Sequence, residues 1–181
     1  MIIHAASGNE GGLGNLDKQP MKKTVVMLIG PKGSGKTHIG AAIEKMAGVK
    51  FLRVEPIWLA IDEGQDGWAM VEAAIDDSLK HTGVVIIESL GGSRGFERLR
   101  FNLEQRYILK YVRIVVSLDV CLERVRTRNS RDHIPVSDEN VETYNRIAAK
   151  VTLPWDYEMR NEPPMTDEMI LDAMKRIHHA T

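Results

Sequence analysis

Residues 24–37 read TVVMLIGPKGSGKT, and the fold follows from how this stretch is read. Val25, Val26, Leu28 and Ile29 run on without polar alternation, the pattern of a strand buried on both faces. The chain then passes through Gly30, Pro31, Lys32, Gly33, Ser34 and Gly35 and closes on Lys36, Thr37 and His38. The spacing Gly30-x-x-x-x-Gly35-Lys36-Thr37 is that of a loop whose backbone amides turn inward around phosphate. A helix predicted from near Gly35, with Ile39, Ile43 and Met46 on one face, adds the positive end of its dipole. Lys36 supplies a full charge for the β- and γ-phosphates, and the Thr37 hydroxyl is a ligand for Mg²⁺. Residues 30–38 therefore predict a site for a nucleoside triphosphate.

Composition narrows the class of protein. A chain of 181 residues is enough for one domain with a full core, and 43% hydrophobic residues is ordinary for a soluble globular protein. A formal charge of −1 argues against a long nucleic-acid partner, which calls for a basic face. No apolar run is long enough to cross a bilayer, so no membrane partner is expected. The single cysteine, Cys121, excludes an internal disulfide and makes the cytosol the default compartment. In its helical pattern it reads as a small core residue. Residues 1–21 have neither a basic start nor an extended apolar segment and are read as a flexible N-terminal extension, with the folded domain spanning 22–181.

Outward from the loop, strands alternate with helices. Residues 49–54 (VKFLRV) read as a second strand, followed by a short helix from Glu55-Pro56 and a longer one carrying Trp68, Val71, Ile75 and Leu79. Residues 84–87 are a third buried strand ending in Glu88, and the glycine-rich segment 89–95 leads to a helix with Phe96, Leu99, Leu103 and Tyr107. Residues 112–118 are a fourth strand, after which Asp119 caps a helix that turns basic at Arg124, Arg126, Arg128 and Arg131. A helix over 138–151, a strand over 157–160 and a last helix capped by Thr166 complete the chain. This order predicts an α/β domain with a mostly parallel sheet and helices on both faces. Ligands in such sheets bind beyond the carboxyl ends of the strands, which brings the loops at Gly30, Glu55, Glu88 and Asp119 around one site.

Trp58 and Trp68 read as core residues and Trp155 as a packing residue beside Pro154. The run of arginines recurs at helical spacing toward the phosphate site, so its members can converge on one anion. Glu88 ends an apolar strand where an unpaired carboxylate is costly, which points to a ligand-facing role.

With these elements placed, the chain resembles the P-loop small-molecule kinases, the superfamily of adenylate, shikimate and gluconate kinases, over roughly residues 22–177. GPKGSGKTHIG (30–40) resembles the opening of shikimate kinases, LDVCLERVRTR (118–128) the helix leading into their lid, and Asn161-Glu162-Pro163-Pro164 the turn that packs on adenine. The resemblance implies a three-layer α/β/α fold, a five-stranded parallel sheet in the order 2-3-1-4-5 and a lid over about 126–137. It implies ATP and Mg²⁺ as ligands, with Asn161 and Pro163 near the base. Arg124 or Arg128 would lie along the adenine, with Arg124 favoured, and Arg128 or Arg131 would reach the transferred phosphoryl group. Glu55 stands where shikimate and gluconate kinases carry an Asp that contacts the acceptor hydroxyl, but Arg53 replaces a second acidic residue two places earlier. The segment from Glu88 to Arg94 stands where nucleotide-accepting members carry Asp-Gly-x-Pro-Arg, which disfavours a nucleoside monophosphate acceptor.

Two functions remain open at this level. One is an ATP-dependent phosphotransferase acting on a small-molecule acceptor, as a monomer or homodimer. Its catalytic residues are then Lys36, Glu55, Arg128 and Arg131, with Thr37 and Glu88 holding the metal. Glu55 is read as the base, though Glu55 and Glu88 can exchange roles, and Arg94 and Arg146 are further substrate contacts. The alternative is a nucleotide-binding or ATPase regulatory module with no small-molecule acceptor.

Overall fold

The computed structural model describes residues 23–127 and 136–179. Its elements, in chain order, are β1 (Thr24–Ile29), α1 (Lys36–Ile43), β2 (Val49–Leu52), α2 (Val54–Ala60), α3 (Gly67–His81) and β3 (Val84–Ser89). They continue as α4 (Arg94–Glu104), β4 (Ile108–Val115), α5 (Leu118–Thr127), α6 (Asp138–Ala149), β5 (Tyr157–Arg160) and α7 (Asp167–His179). All strand pairs are parallel, and the order β2-β3-β1-β4-β5 is the one expected.

Strand β1 is central, and both its faces are dry. Val26 and Leu28 face a core built from Ile39 and Ile43 of α1 and Ile170, Met174 and Ile177 of α7. Val25, Met27 and Ile29 face a second core built from Val71, Ile75 and Leu79 of α3 and Phe96, Leu99 and Leu103 of α4. A strand with apolar partners on each side has no use for polar alternation, which is why its sequence is a continuous apolar run. The two layers fix the mouth of β1, and so the loop that leaves it.

Several element boundaries differ from the sequence reading. Strand β2 stops at Leu52 because Arg53 (φ −70°, ψ 121°) is already the N-cap of α2. Pro56 then lies in the first helical turn, where its missing N–H costs nothing. Helix α4 starts at Arg94, capped by the Ser93 hydroxyl, which accepts from Phe96 N. Strand β4 runs over 108–115 rather than 112–118 because residues 108–113 pair with 24–29 of β1, and the Tyr111 amide donates to Asp156. At its far end Ser117 leaves the sheet: its amide and hydroxyl both donate to the Glu162 carboxylate, at 2.7 and 3.0 Å. Helix α5 therefore begins at Leu118 with Asp119 inside its first turn, not as its cap. Helix α6 ends at Ala149, and the predicted cap Thr166 accepts from Met169 N.

Two substitutions test this layering. Ile86→Ala, in the wholly buried middle of β3, is expected to cost about 2–5 kcal/mol, whereas Leu59→Ala, 64% exposed on α2, should stay within about 0.5 kcal/mol. Urea unfolding monitored by far-UV dichroism measures both; equal losses would contradict the burial pattern.

Candidate active site

The loop between β1 and α1 is held open from behind. Gly33 and Gly35 both have φ of +87°, in the left-handed region. A Cβ on Gly33 would lie 2.5 Å from the Cys121 carbonyl oxygen of α5, and one on Gly35 would collide with the Asn161 side-chain amide. Glycine is thus required twice, for conformation and for close approach. Gly35 caps α1 without any side-chain bond and no acid occupies the first turn, so the positive end of the helix faces the cavity unneutralised.

Asn161, only 3% exposed, supports this loop from the end of β5. Its side-chain N–H donates to Ser34 O at 2.8 Å, its side-chain oxygen accepts from Met165 N at 2.8 Å, and its carbonyl accepts from Arg124 Nη2 at 2.8 Å. Arg124 Nη1 is buried and has no hydrogen-bond partner among the described residues. An orphaned guanidinium nitrogen beside an inward-turned loop suits an anionic or ring-nitrogen ligand.

Lys36 folds back over the loop, donating to Gly30 O at 2.8 Å and Pro31 O at 2.7 Å. Burial lowers its pKa from 10.5 to about 8, with Glu88 opposing the shift. Thr37 Oγ1 donates to the Glu88 carboxylate at 2.8 Å. A hydroxyl and a carboxylate at a phosphate loop are hard oxygen donors, and Mg²⁺ typically takes one or two of these together with phosphate oxygens and water. The pair therefore fits that metal.

A cavity of about 680 Å³ lies over the loop. Lys36, Thr37, Glu88 and Arg124 line it, as does Glu55 of α2. The Glu55 carboxylate pairs with Lys32 of the loop at 3.2 Å. The rest of the wall includes Val54, Trp58 and Trp68, Leu90 after β3, and Tyr144 and Ile147 of α6, together with the hydroxyl-bearing Ser89 and Ser93.

The structure thus brings Lys36, Thr37, Glu55, Glu88 and Arg124 to one cavity, along with Lys32, Gly33, Gly35 and His38. Ser34 is fully buried beneath it, and Pro163 is exposed on the turn after Asn161. Gly30 and Pro31 line a separate cavity of about 410 Å³ on the far side of the loop. Two expected substrate contacts lie elsewhere. Arg94 is exposed in the first turn of α4, next to the capping Ser93, and is not among the residues lining the cavity. Arg146, on α6, borders the second cavity and pairs with Glu142 at 3.9 Å. Arg128 and Arg131, with most of the expected lid, fall outside the described residues.

The indoles also depart from expectation. Trp58 is 37% exposed and both it and Trp68 line the cavity, with ring centroids 5.5 Å apart and planes at 82°. Apolar spacing along α2 and α3 marked them as inward-facing, and nothing local distinguishes a cavity wall from a core. Tyr144 and Ile147 carried no sequence signal at all, since α6 reaches the cavity only through tertiary packing. Trp155 is half-buried against the α3/α4 core, as a packing residue should be.

No family model matches the chain. A shikimate kinase from Actinobacillus pleuropneumoniae serotype 5b (strain L20) is 27% identical over 159 residues, covering 81% of this chain and 88% of that enzyme. A putative kinase from Chloroflexus aurantiacus superposes with a TM-score of 0.65 at 15% identity, covering 86% of this chain and 98% of its own. Shikimate kinase from Acinetobacter baumannii, solved with shikimate, gives a TM-score of 0.51 at 20% identity over 87% of this chain and 92% of its own. The sheet order, the loop and these relatives agree. The chain is similar in sequence to shikimate kinases and shares the fold of solved P-loop kinases. It carries its phosphate loop at the mouth of the central strand. Among its described residues no helix is long and apolar enough to cross a membrane.

The state of Lys36 makes a prediction about pH. Its folded pKa near 8 lies below its free value of 10.5, so between these the unfolded chain binds more protons and stability rises with pH. A bound polyphosphate restores the charge and should reverse the shift. Mg-ATP binding at pH 9 is then accompanied by proton uptake, read from calorimetry in two buffers of different ionisation enthalpy. The uptake should vanish at pH 7 and in Lys36→Met; uptake persisting in that variant would assign it to another group.

Proposed function

We propose that the protein is an ATP-dependent phosphotransferase that moves the γ-phosphoryl group to a hydroxyl of a small-molecule acceptor. The observation that carries this is the placement of Glu55 in the same cavity as Lys36 and the Thr37–Glu88 pair. A site that only held nucleotide would need no second carboxylate, beyond Glu88, beside the phosphate loop. The shikimate kinase relatives support the same reading.

In this reading the loop amides, the α1 terminus and Lys36 hold the polyphosphate and neutralise charge that develops as the bridging bond breaks. Thr37 and Glu88 would hold Mg²⁺, which supplies further neutralisation on the phosphate oxygens when bound. Arg124, anchored to the Asn161 carbonyl, directs its free nitrogen toward the nucleotide. Glu55, kept in place by Lys32, orients the acceptor hydroxyl. As the hydroxyl oxygen bonds to the γ-phosphorus and the bond to the bridging oxygen breaks, Glu55 accepts the proton and ADP is the leaving group. Arg128 and Arg131 are proposed to add positive charge at the transferred group.

Lys36→Ala should lower turnover about 10²-fold or more with an unchanged far-UV spectrum, since it removes a charge acting on the transition state. Glu55→Gln should leave Mg-ATP affinity within about twofold while phosphoryl transfer falls about 10²-fold. Acceptor-dependent ADP release and calorimetric titration read the two quantities. Transfer at the wild-type rate in Glu55→Gln would move the base to Glu88.

A further inference from the structure

The acceptor end of the cavity has a composition that the phosphate end does not explain. Four cationic or basic side chains line the whole cavity among the described residues: Lys32, Lys36, His38 and Arg124. Each already has a partner. Lys36 lies on the loop carbonyls, Arg124 on the Asn161 carbonyl and Lys32 on Glu55, while His38 sits 3.6 Å from Asp167 of α7. Arg94 is exposed and does not line the cavity. The remaining lining includes Trp58, Trp68, Leu90, Tyr144 and Ile147, with Ser89, Ser93 and the Glu55 carboxylate.

These rings are fixed in place. A Cβ on Gly67 would fall 2.5 Å from the Trp58 ring, and one on Gly95 would collide with that of Trp68, so each indole rests directly on backbone. Trp68 in turn packs edge-on against the buried Phe96 at 5.7 Å. Across from them Ile147 rests on Gly92, where any side chain would displace α6. Rigid aromatic faces with a nearby carboxylate favour a flat, weakly hydrated ligand bearing hydroxyls. An anionic acceptor would instead place its charge beside carboxylates and indoles where, among the described residues, the nearest cation, Lys32, is already paired with Glu55.

Resting on the kinase reading above, we infer that the acceptor is an uncharged ring compound bearing a hydroxyl, taken against Trp58 and Trp68, and not a carboxylate or phosphate. The two indoles set acceptor specificity, and Glu55 meets the hydroxyl.

The test uses the full chain with Mg-ATP and a panel of matched pairs: shikimate and its methyl ester, gluconate and its lactone, sugar phosphates and the free sugars, nucleotides and their nucleosides. ADP release gives kcat/KM, and tryptophan fluorescence gives binding, with Trp155→Phe removing the distant indole. Uncharged members should exceed their anionic partners by about tenfold or more in kcat/KM. Trp58→Ala should raise KM for the best uncharged acceptor about tenfold or more while KM for ATP stays unchanged. Higher kcat/KM for the anions, no response to any uncharged member, or an unaltered acceptor KM in Trp58→Ala would each overturn the inference. Failure to bind Mg-ATP at all would instead overturn the kinase reading on which it rests.

Discussion

Lys36 is a cation that the protein buries among partners too weak to keep its pKa at the free value. Two loop carbonyls and, at 3.5 Å, the Ser34 hydroxyl accept from it, and burial drives its pKa down despite the nearby Glu88. A buried ammonium in this position is tolerable because a polyphosphate completes it. The same holds for the inward amides of the loop, for the uncapped start of α1 and for Arg124 Nη1. Lys36 and Arg124 line one cavity with the loop, and Arg124 Nη1 is a buried donor without an acceptor among the described residues. The resting site is thus assembled from unmet positive potential, and the remainder of the fold keeps it from collapsing.

That support is mechanical as well as electrostatic. The loop would relax onto its own carbonyls if the strand before it or the helix after it could shift. Strand β1 cannot shift because both faces are packed and both edges are paired, by β3 and β4. Helix α1 is pinned against α7 by Ile39 and Ile43. Asn161 then couples three parts that no single element could join: the loop through Ser34, the start of α7 through Met165, and α5 through Arg124. A side chain amide suits this post because it donates and accepts at fixed positions while remaining neutral in a buried setting.

What could be read from the chain follows from the range of the interactions involved. The phosphate loop is local: its glycines, Lys36 and Thr37 act through a few consecutive residues, so spacing alone reveals it. The layers were legible because a strand covered on both faces must be apolar throughout, as in residues 25–29 and 84–87. Strand β4 was misplaced by four residues at its start because its first half carries Lys110, whose partner Asp156 lies 46 positions away. Its end was misplaced because Glu162, a residue of the opposite loop, draws Ser117 out of the sheet. The tryptophans were assigned to a core because α2 and α3 show the same apolar spacing toward a cavity as toward a packed interior. The approach of α6 depends on Gly92 having no side chain, a condition that spacing cannot express.

The cavity is therefore polarised along its length, and the polarity is built from different structural sources. At the phosphate end, charge comes from backbone amides, a helix terminus and cations on three elements, all tied to the sheet. At the other end, shape comes from indoles seated on glycine backbone and a helix laid over Gly91 and Gly92. Glu55 belongs to both, since its carboxylate is held by the loop through Lys32 while its helix carries Trp58. A change at Glu55 or Lys32 thus moves the junction between the two ends. A change among the aromatic residues alters only what is brought to that junction. In this geometry the phosphate end can remain constant while the aromatic wall varies, because no hydrogen bond or ion pair of the described residues ties Trp58 or Tyr144 to the loop. Sequence patterns accordingly report the first end and leave the second to the structure.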